Sequence, residues 1–209
     1  MKYLDFKIKL AKHVCFSLSD IRVFDPTYRR RQLYEWQDQG YIRKIRRGFY
    51  MFTETSLSEA VLFALSNKIY PHSYVSLESA LSVYGLIPEG VFTVTAVSTK
   101  NTSSFETGVG TFDYHHIKPA LFKGYTLRTD TTGVTYKIAT PEKTLLDYIY
   151  FHPEIATPAD FEAWRFNSAE FLKIADLEVV LASAQADYRK GFIQKVARVV
   201  SMIKNDTYA

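Results

Sequence analysis

The stretch Tyr41-Ile42-Arg43-Lys44-Ile45-Arg46-Arg47-Gly48-Phe49-Tyr50-Met51-Phe52 decides how the N-terminal part of the chain reads. Ile42 and Ile45 bracket a pair of cations, and Phe49 to Phe52 form a second apolar run. Arg46-Arg47-Gly48 between them is a turn signal, so the stretch predicts a β-hairpin tipped with arginine.

Immediately upstream, Asp25 suits a helix cap, Pro26 a first helical position and Gly40 a C-terminal stop. They predict a helix over residues 27–39. With about 100° per residue, Leu33, Trp36 and Gly40 fall on one side. Tyr28, Arg31, Tyr34, Glu35 and Asp38 fall on the other, with Arg30 on the flank. This helix is expected to pack on Leu33 and Trp36 and to show tyrosine and arginine outward. Further back, Ser17 and Asp20 have the spacing of a helix start, with Ile21 and Phe24 as the apolar side. Residues 3–12 predict a first helix with Leu4, Ile8 and Ala11 on its apolar face.

Helix, helix, helix and basic hairpin, in that order, predict a winged helix-turn-helix over residues 1–52. In such a unit the last helix enters the major groove of double-stranded DNA and the hairpin touches the adjacent backbone. The expected DNA contacts are Tyr28, Arg30, Arg31, Tyr34, Arg43, Lys44, Arg46 and Arg47. Winged helices also dock proteins, and in that alternative the exposed tyrosines are interface anchors.

Charge favours the anionic partner. Residues 1–52 hold 12 Lys/Arg against 5 Asp/Glu, whereas the remainder holds 14 against 17. A basic head thus sits on a slightly acidic body. The sequence is 47% hydrophobic and 15% aromatic, ample for a packed core. Its apolar runs fall short of the ~20 residues that span a bilayer, so no membrane partner is expected. No signal peptide is apparent in MKYLDFKIKL, and the single cysteine, Cys15, cannot pair internally, so a reducing cytoplasm is the expected compartment.

Residues 53–209 predict an α+β body with a helical C-terminus. Ser56 and Glu59 have capping-box spacing and open a helix to about Lys68. A second helix runs from Leu77 to Tyr84 and stops at Gly85. Strands are predicted over residues 91–97, 112–117, 125–128 and 134–139, with 100–111 a polar loop or hairpin tip. Thr140 caps a helix with Pro141 at its first position and Leu145, Leu146 and Ile149 as its buried stripe. Helices follow from Thr157, the last with Phe192, Val196, Val199, Val200 and Ile203 on one side.

The chemistry of catalysis is hard to find in this pattern. Gly108-Val109-Gly110 lacks the rest of a phosphate loop. His115 and His116 are adjacent in a predicted strand and face opposite ways, so no metal and no cofactor are expected. Cys15 lies in an apolar run, as a core thiol does. Glu142-Lys143 reads as the first turn of a helix. A nuclease using Asp113 or Glu142 is the remaining enzymatic alternative, and the chain is expected not to be an enzyme.

Three further segments matter together with the head and its hairpin. Tyr74-Val75-Ser76-Leu77-Glu78-Ser79-Ala80-Leu81, then Tyr84-Gly85-Leu86, then Ile138-Ala139-Thr140-Pro141-Glu142-Lys143-Thr144-Leu145-Leu146-Asp147 follow in this order. Over residues 10–150 the chain resembles the AbiEi-type antitoxins of bacterial type IV toxin–antitoxin (abortive infection) systems. The resemblance implies a transcriptional regulator whose winged helix represses its own operon from an operator. It implies a body that opposes a nucleotidyltransferase-type toxin, with or without a stable complex. Either a homodimer on DNA or monomers side by side fits such a protein. Three consecutive arginines, 29–31, make the helix more basic than the family pattern.

Overall fold

A computed structural model describes residues 2–206. The fold is mixed α+β. The N-terminal part runs α1 (Tyr3–Leu10), β1 (Phe16–Ser17), α2 (Leu18–Phe24), α3 (Arg30–Asp38), β2 (Ile42–Arg46) and β3 (Phe49–Phe52). Its three strands form an antiparallel sheet in the order β1-β3-β2. Phe16 and Phe6, both without exposed surface, pack with Trp36, Tyr28, Ile42, Tyr50 and Phe52 into an aromatic core.

The hairpin is shared between two cores. Ile42, Tyr50 and Phe52 point into the aromatic core, and Ile45 and Met51 into a second one built with the helix that follows. Period-two alternation along a strand gives one ribbon two buried faces. A register shift between Lys44 and Arg46 accompanies the change of side. Gly48, at φ +89°, completes a two-residue turn in a conformation that glycine adopts without steric cost.

Several boundaries differ from expectation. α1 buries Phe6 and Leu10, and Leu4 and Ile8 are 66% and 69% exposed, so the apolar side inferred for this helix is the wrong one. Phe6 and Leu10 have aromatic partners to pack on, and that decides between two equally spaced stripes. The capping box at Ser17 and Asp20 forms as predicted. Residues 25–29 are a turn instead of helix, with Asp25 accepting from the backbone and hydroxyl of Thr27, so α3 begins later than its sequence signals.

The rest of the chain forms α4 (Glu59–Ile69), β4 (Ser73–Val75), α5 (Leu77–Val83), β5 (Thr93–Ser98), β6 (Ser103–Thr107) and β7 (Gly110–His116). After a short 3-10 turn come β8 (Tyr125–Thr129), β9 (Thr135–Ala139), α6 (Pro141–Phe151), α7 (Pro158–Trp164), α8 (Ser168–Ile174), α9 (Leu177–Asp187) and α10 (Lys190–Asp206). The strands make one mixed sheet, β6-β7-β5-β4-β9-β8, with parallel pairs β5/β7 and β4/β9. One face, with Val75, Val94, Ala96, Phe112, Tyr114 and Ile138, packs on α4. Tyr74, Val97 and Ala139 point to the other face, towards α6. Strand β6 falls within the stretch read as a loop. Its alternation of half-buried and exposed residues is too weak to register in the sequence, and antiparallel pairing with β7 supplies the order. The cap of α4 is Ser58 instead of Ser56. Val196, Val199, Val200 and Ile203 of α10 are all buried, which makes this helix core.

The two sequence motifs of the body meet at Asp147. This carboxylate is fully buried. Its Oδ2 accepts from the hydroxyls of Tyr74 and Ser76, each at 2.9 Å, and its Oδ1 lies 2.8 Å from the ammonium of Lys143. Burial pushes the carboxyl of Asp147 up, and the Lys143 ammonium and the two hydroxyls oppose that. Ser76 is the residue before α5 but spends its hydroxyl on Asp147 rather than on the helix. Leu77 follows at φ +56°, an uncommon conformation for a residue with a side chain. Removing one partner of such a buried pair strands the other. Asp147→Ala is expected to cost about 3–5 kcal/mol, read from the urea midpoint. A loss below about 1 kcal/mol would show that the site is not a structural node.

A second polar cluster ends α6. His152 lies 3.4 Å from Glu78 of α5 and 2.7 Å from Glu154, with its ring stacked on Tyr148. Its bond to Glu78 raises the imidazole above its ordinary 6.5, against the effect of burial. Burial would raise Glu78, but His152 prevails and holds it below 4.5. The imidazolium's contribution to stability is complete below pH 6.5 and is lost as pH rises through the higher folded value. The carboxylate's contribution is complete above pH 4.5 and is lost as pH falls through its lowered value. The denaturation midpoint should therefore drop between about pH 6 and about pH 8. His152→Gln should remove that drop, and an unchanged slope in the variant would remove His152 as its cause.

Candidate nucleic-acid interface

The side chains expected to meet DNA do not share one fate. Arg30, Arg31 and Tyr34 are exposed on α3 as the sequence implied. Tyr34 keeps 49% of its surface, and Arg30 lies over its ring at 5.9 Å. The guanidinium of Arg31 is 3.0 Å from Glu35, one turn further on, in a pair open to solvent and worth little by itself. Arg29 caps α3 by position but offers no side-chain cap, and the first-turn amide of Gln32 donates to its carbonyl at 3.1 Å. Arg29 belongs with this set although the expected contacts omitted it. The signal was the unbroken arginine run 29–31, masked by placing the helix start too early.

Tyr28 is a correction. It lies in the turn before α3 and is only 3% exposed, stacked parallel to Phe6 at 6.4 Å and tilted against Trp36 at 5.6 Å. Burial pushes its phenol up. A helix beginning at residue 27 would have turned Tyr28 outward, and the turn at 25–29 turns it in.

The hairpin cations divide in the same way. Lys44 and Arg47 are exposed, Arg47 at the turn itself. Arg46 is a second correction, because its guanidinium lies 3.9 Å above the ring of Phe105 on β6 and donates to the carbonyl of Ile69 at 3.1 Å. It clamps the hairpin to the body, which limits its reach to a distant phosphate. Arg43 is half-buried and donates to the carbonyl of Thr55 at 3.3 Å. Of the head's arginine run and hairpin cations, those left exposed to an anion are Arg29, Arg30 and, in its solvent-open pair with Glu35, Arg31 on α3, and Lys44 and Arg47 on the hairpin. That arrangement can bind phosphates with donors from two elements.

Asp113 lines a cavity of about 650 Å³ with Glu78, Thr95 and His115, and Glu142 lines another of about 420 Å³ beside Lys143 and Tyr188. The two carboxylates considered for a nuclease therefore do not converge. Among the described residues no group of three or more His, Cys, Asp or Glu side chains could hold a metal ion. Burial pushes the Cys15 thiol up to about 12, away from a reactive thiolate. Among the described residues no helix is long and apolar enough to cross a membrane.

Comparison with known proteins adds no assignment, since no protein-family model and no curated protein matches the chain.

The division of the arginines is measurable in stability. Arg46→Ala forfeits a stacked cation and a charged hydrogen bond and should cost about 2–3 kcal/mol. Arg47→Ala should stay within about 0.5 kcal/mol of the parent. Equal midpoints for the two variants in urea would remove Arg46 from its clamp.

Proposed function

We propose that residues 1–52 act as a winged helix-turn-helix that binds double-stranded DNA at the operator of the protein's own operon. On this reading the chain is an autorepressor and an AbiEi-type antitoxin, and its body opposes a nucleotidyltransferase-type toxin. One observation carries the DNA reading: Arg29, Arg30 and Arg31 at the start of α3, which has no side-chain cap, and Lys44 and Arg47 on the hairpin are all exposed cations of one N-terminal unit. The element order α1-β1-α2-α3-β2-β3 and the sheet order β1-β3-β2 support the winged-helix assignment. The antitoxin role rests on the sequence resemblance of residues 10–150.

Arg29, Arg30 and Arg31 are then the groove and phosphate contacts, Tyr34 a neighbouring contact on the same face, and Lys44 and Arg47 the backbone contacts of the wing. Half-buried Arg43 serves at most the hairpin's base. A second reading, a protein-docking module, draws on Glu35 and Asp38, which place acid on the same exposed helix.

Fluorescence anisotropy on the upstream promoter duplex, against a scrambled duplex and across a salt series, separates the two. Promoter binding should be tighter and should weaken steeply with salt. Arg47→Ala should weaken both duplexes alike and lower the salt slope by about one, and Arg31→Ala should also relax the preference for the promoter. Equal or absent binding to both duplexes would give the surface to a protein partner.

A further inference from the structure

The first helix carries an apolar stripe that stays exposed among the described residues. At about 100° per residue, Leu4 and Ile8 lie opposite the buried Phe6 and Leu10. They are 66% and 69% exposed. Beside Ile8 a shallow groove is lined by Asp5, Lys9, Phe24 and Asp25, and Phe24 at the end of α2 is 41% exposed. Its neighbour Val23 is 77% exposed. These four side chains leave on the order of 400 Å² to solvent, as much as the largest apolar patch of an ordinary monomer.

We propose that this face pairs with the same face of a second copy of the chain, with the two α1 helices antiparallel about a two-fold axis. The charge pattern selects that occupant. Asp5 and Lys9 are one turn apart on the same flank of the stripe, yet no ion pair joins them. A two-fold axis level with the middle of α1 sets Leu4 against Ile8 of the other copy. It also sets Asp5 against Lys9 of the other copy, twice over. The surface is therefore complementary to itself, as an isologous contact demands. Lys9 already leans over Phe24 at 5.9 Å, which holds its ammonium on that flank. The pair buries little and joins two basic heads that repel, so it belongs with weak, transient interfaces. It brings two arginine-headed α3 helices into one particle, but its formation does not rest on the DNA reading.

Sedimentation velocity on the full chain without DNA tests this. The sedimentation coefficient should rise from the monomer value towards the dimer value between about 1 and about 100 µM. Ile8→Asp should hold the chain at the monomer value throughout. Asp5→Lys and Lys9→Asp should each do the same, and the double variant Asp5→Lys/Lys9→Asp should restore the dimer. All these positions are exposed, and an unchanged circular dichroism melt establishes that each variant folds. A parent that stays monomeric to the highest concentration overturns the proposal. So does a dimer indifferent to Ile8→Asp, and failure of the double charge swap overturns the antiparallel register. None of these results depends on whether promoter DNA is bound.

Discussion

The carboxylate of Asp147 is the constraint on which the body is organised. It belongs to α6, and the hydroxyls that satisfy it come from Tyr74 and Ser76, more than seventy residues earlier. A buried ionised group without partners is costly, so any packing that separates α6 from the β4–α5 junction is disfavoured. The bond set fixes more than one contact. Tyr74 belongs to β4, which runs parallel to β9, and β9 leads through Thr140 into α6. Ser76 opens α5, which packs on α6 through Leu81, Leu145 and Leu146. The same junction is tied to β5, where Thr95 donates to the carbonyl of Ser76 and exchanges bonds with Ser79. The left-handed conformation of Leu77 is held within this network of partners. One carboxylate thereby orders a parallel strand pair, two helices and a strained turn.

How much of this the sequence discloses depends on the range of the interaction. Signals that act within a few residues were legible: the Ser17–Asp20 capping box, the Thr140-Pro141 helix start, Gly48 in the hairpin turn, and the Leu145, Leu146 and Ile149 stripe. What failed was decided at a distance. Two stripes of α1 had similar spacing, and the aromatic core chose Phe6 and Leu10 over Leu4 and Ile8. Tyr28 reads as a surface residue until the turn at 25–29 delivers it to Phe6 and Trp36. Lys143, in the first turn of α6, looked like an ordinary helix-start residue and is buried, because Asp147 four residues on supplies its counter-charge. Position along the chain could not reveal that Phe105, on a strand hidden in a polar stretch, would take the guanidinium of Arg46.

The same division runs through the candidate interface. A run of basic residues looks uniform in sequence, but a guanidinium that stacks on a ring and donates to a buried carbonyl is structural material. Arg46 and, in part, Arg43 build the hairpin onto the body. Arg47 and Lys44, adjacent to them, remain available because strand alternation and the turn direct them elsewhere. Net charge therefore overstates the number of cations a partner can meet. The relevant quantity is the charge left after the fold has taken its share, and that is what sets a salt slope.

Sharing the hairpin between two cores also bears on how a DNA-binding head could act on the body. Ile42, Tyr50 and Phe52 are committed to one side, and Ile45 and Met51 to the other, with Arg46 pinned to Phe105 and Ile69. A hinge at residues 53–55 would have to break the second set of contacts, which include fully buried Met51. Packed interiors resist such partial separation, since opening one face leaves voids that its neighbours cannot fill. On the proposed reading, a wing seated on DNA would carry the body with it as a rigid extension. Whatever the body opposes would then meet it in one fixed orientation to the operator.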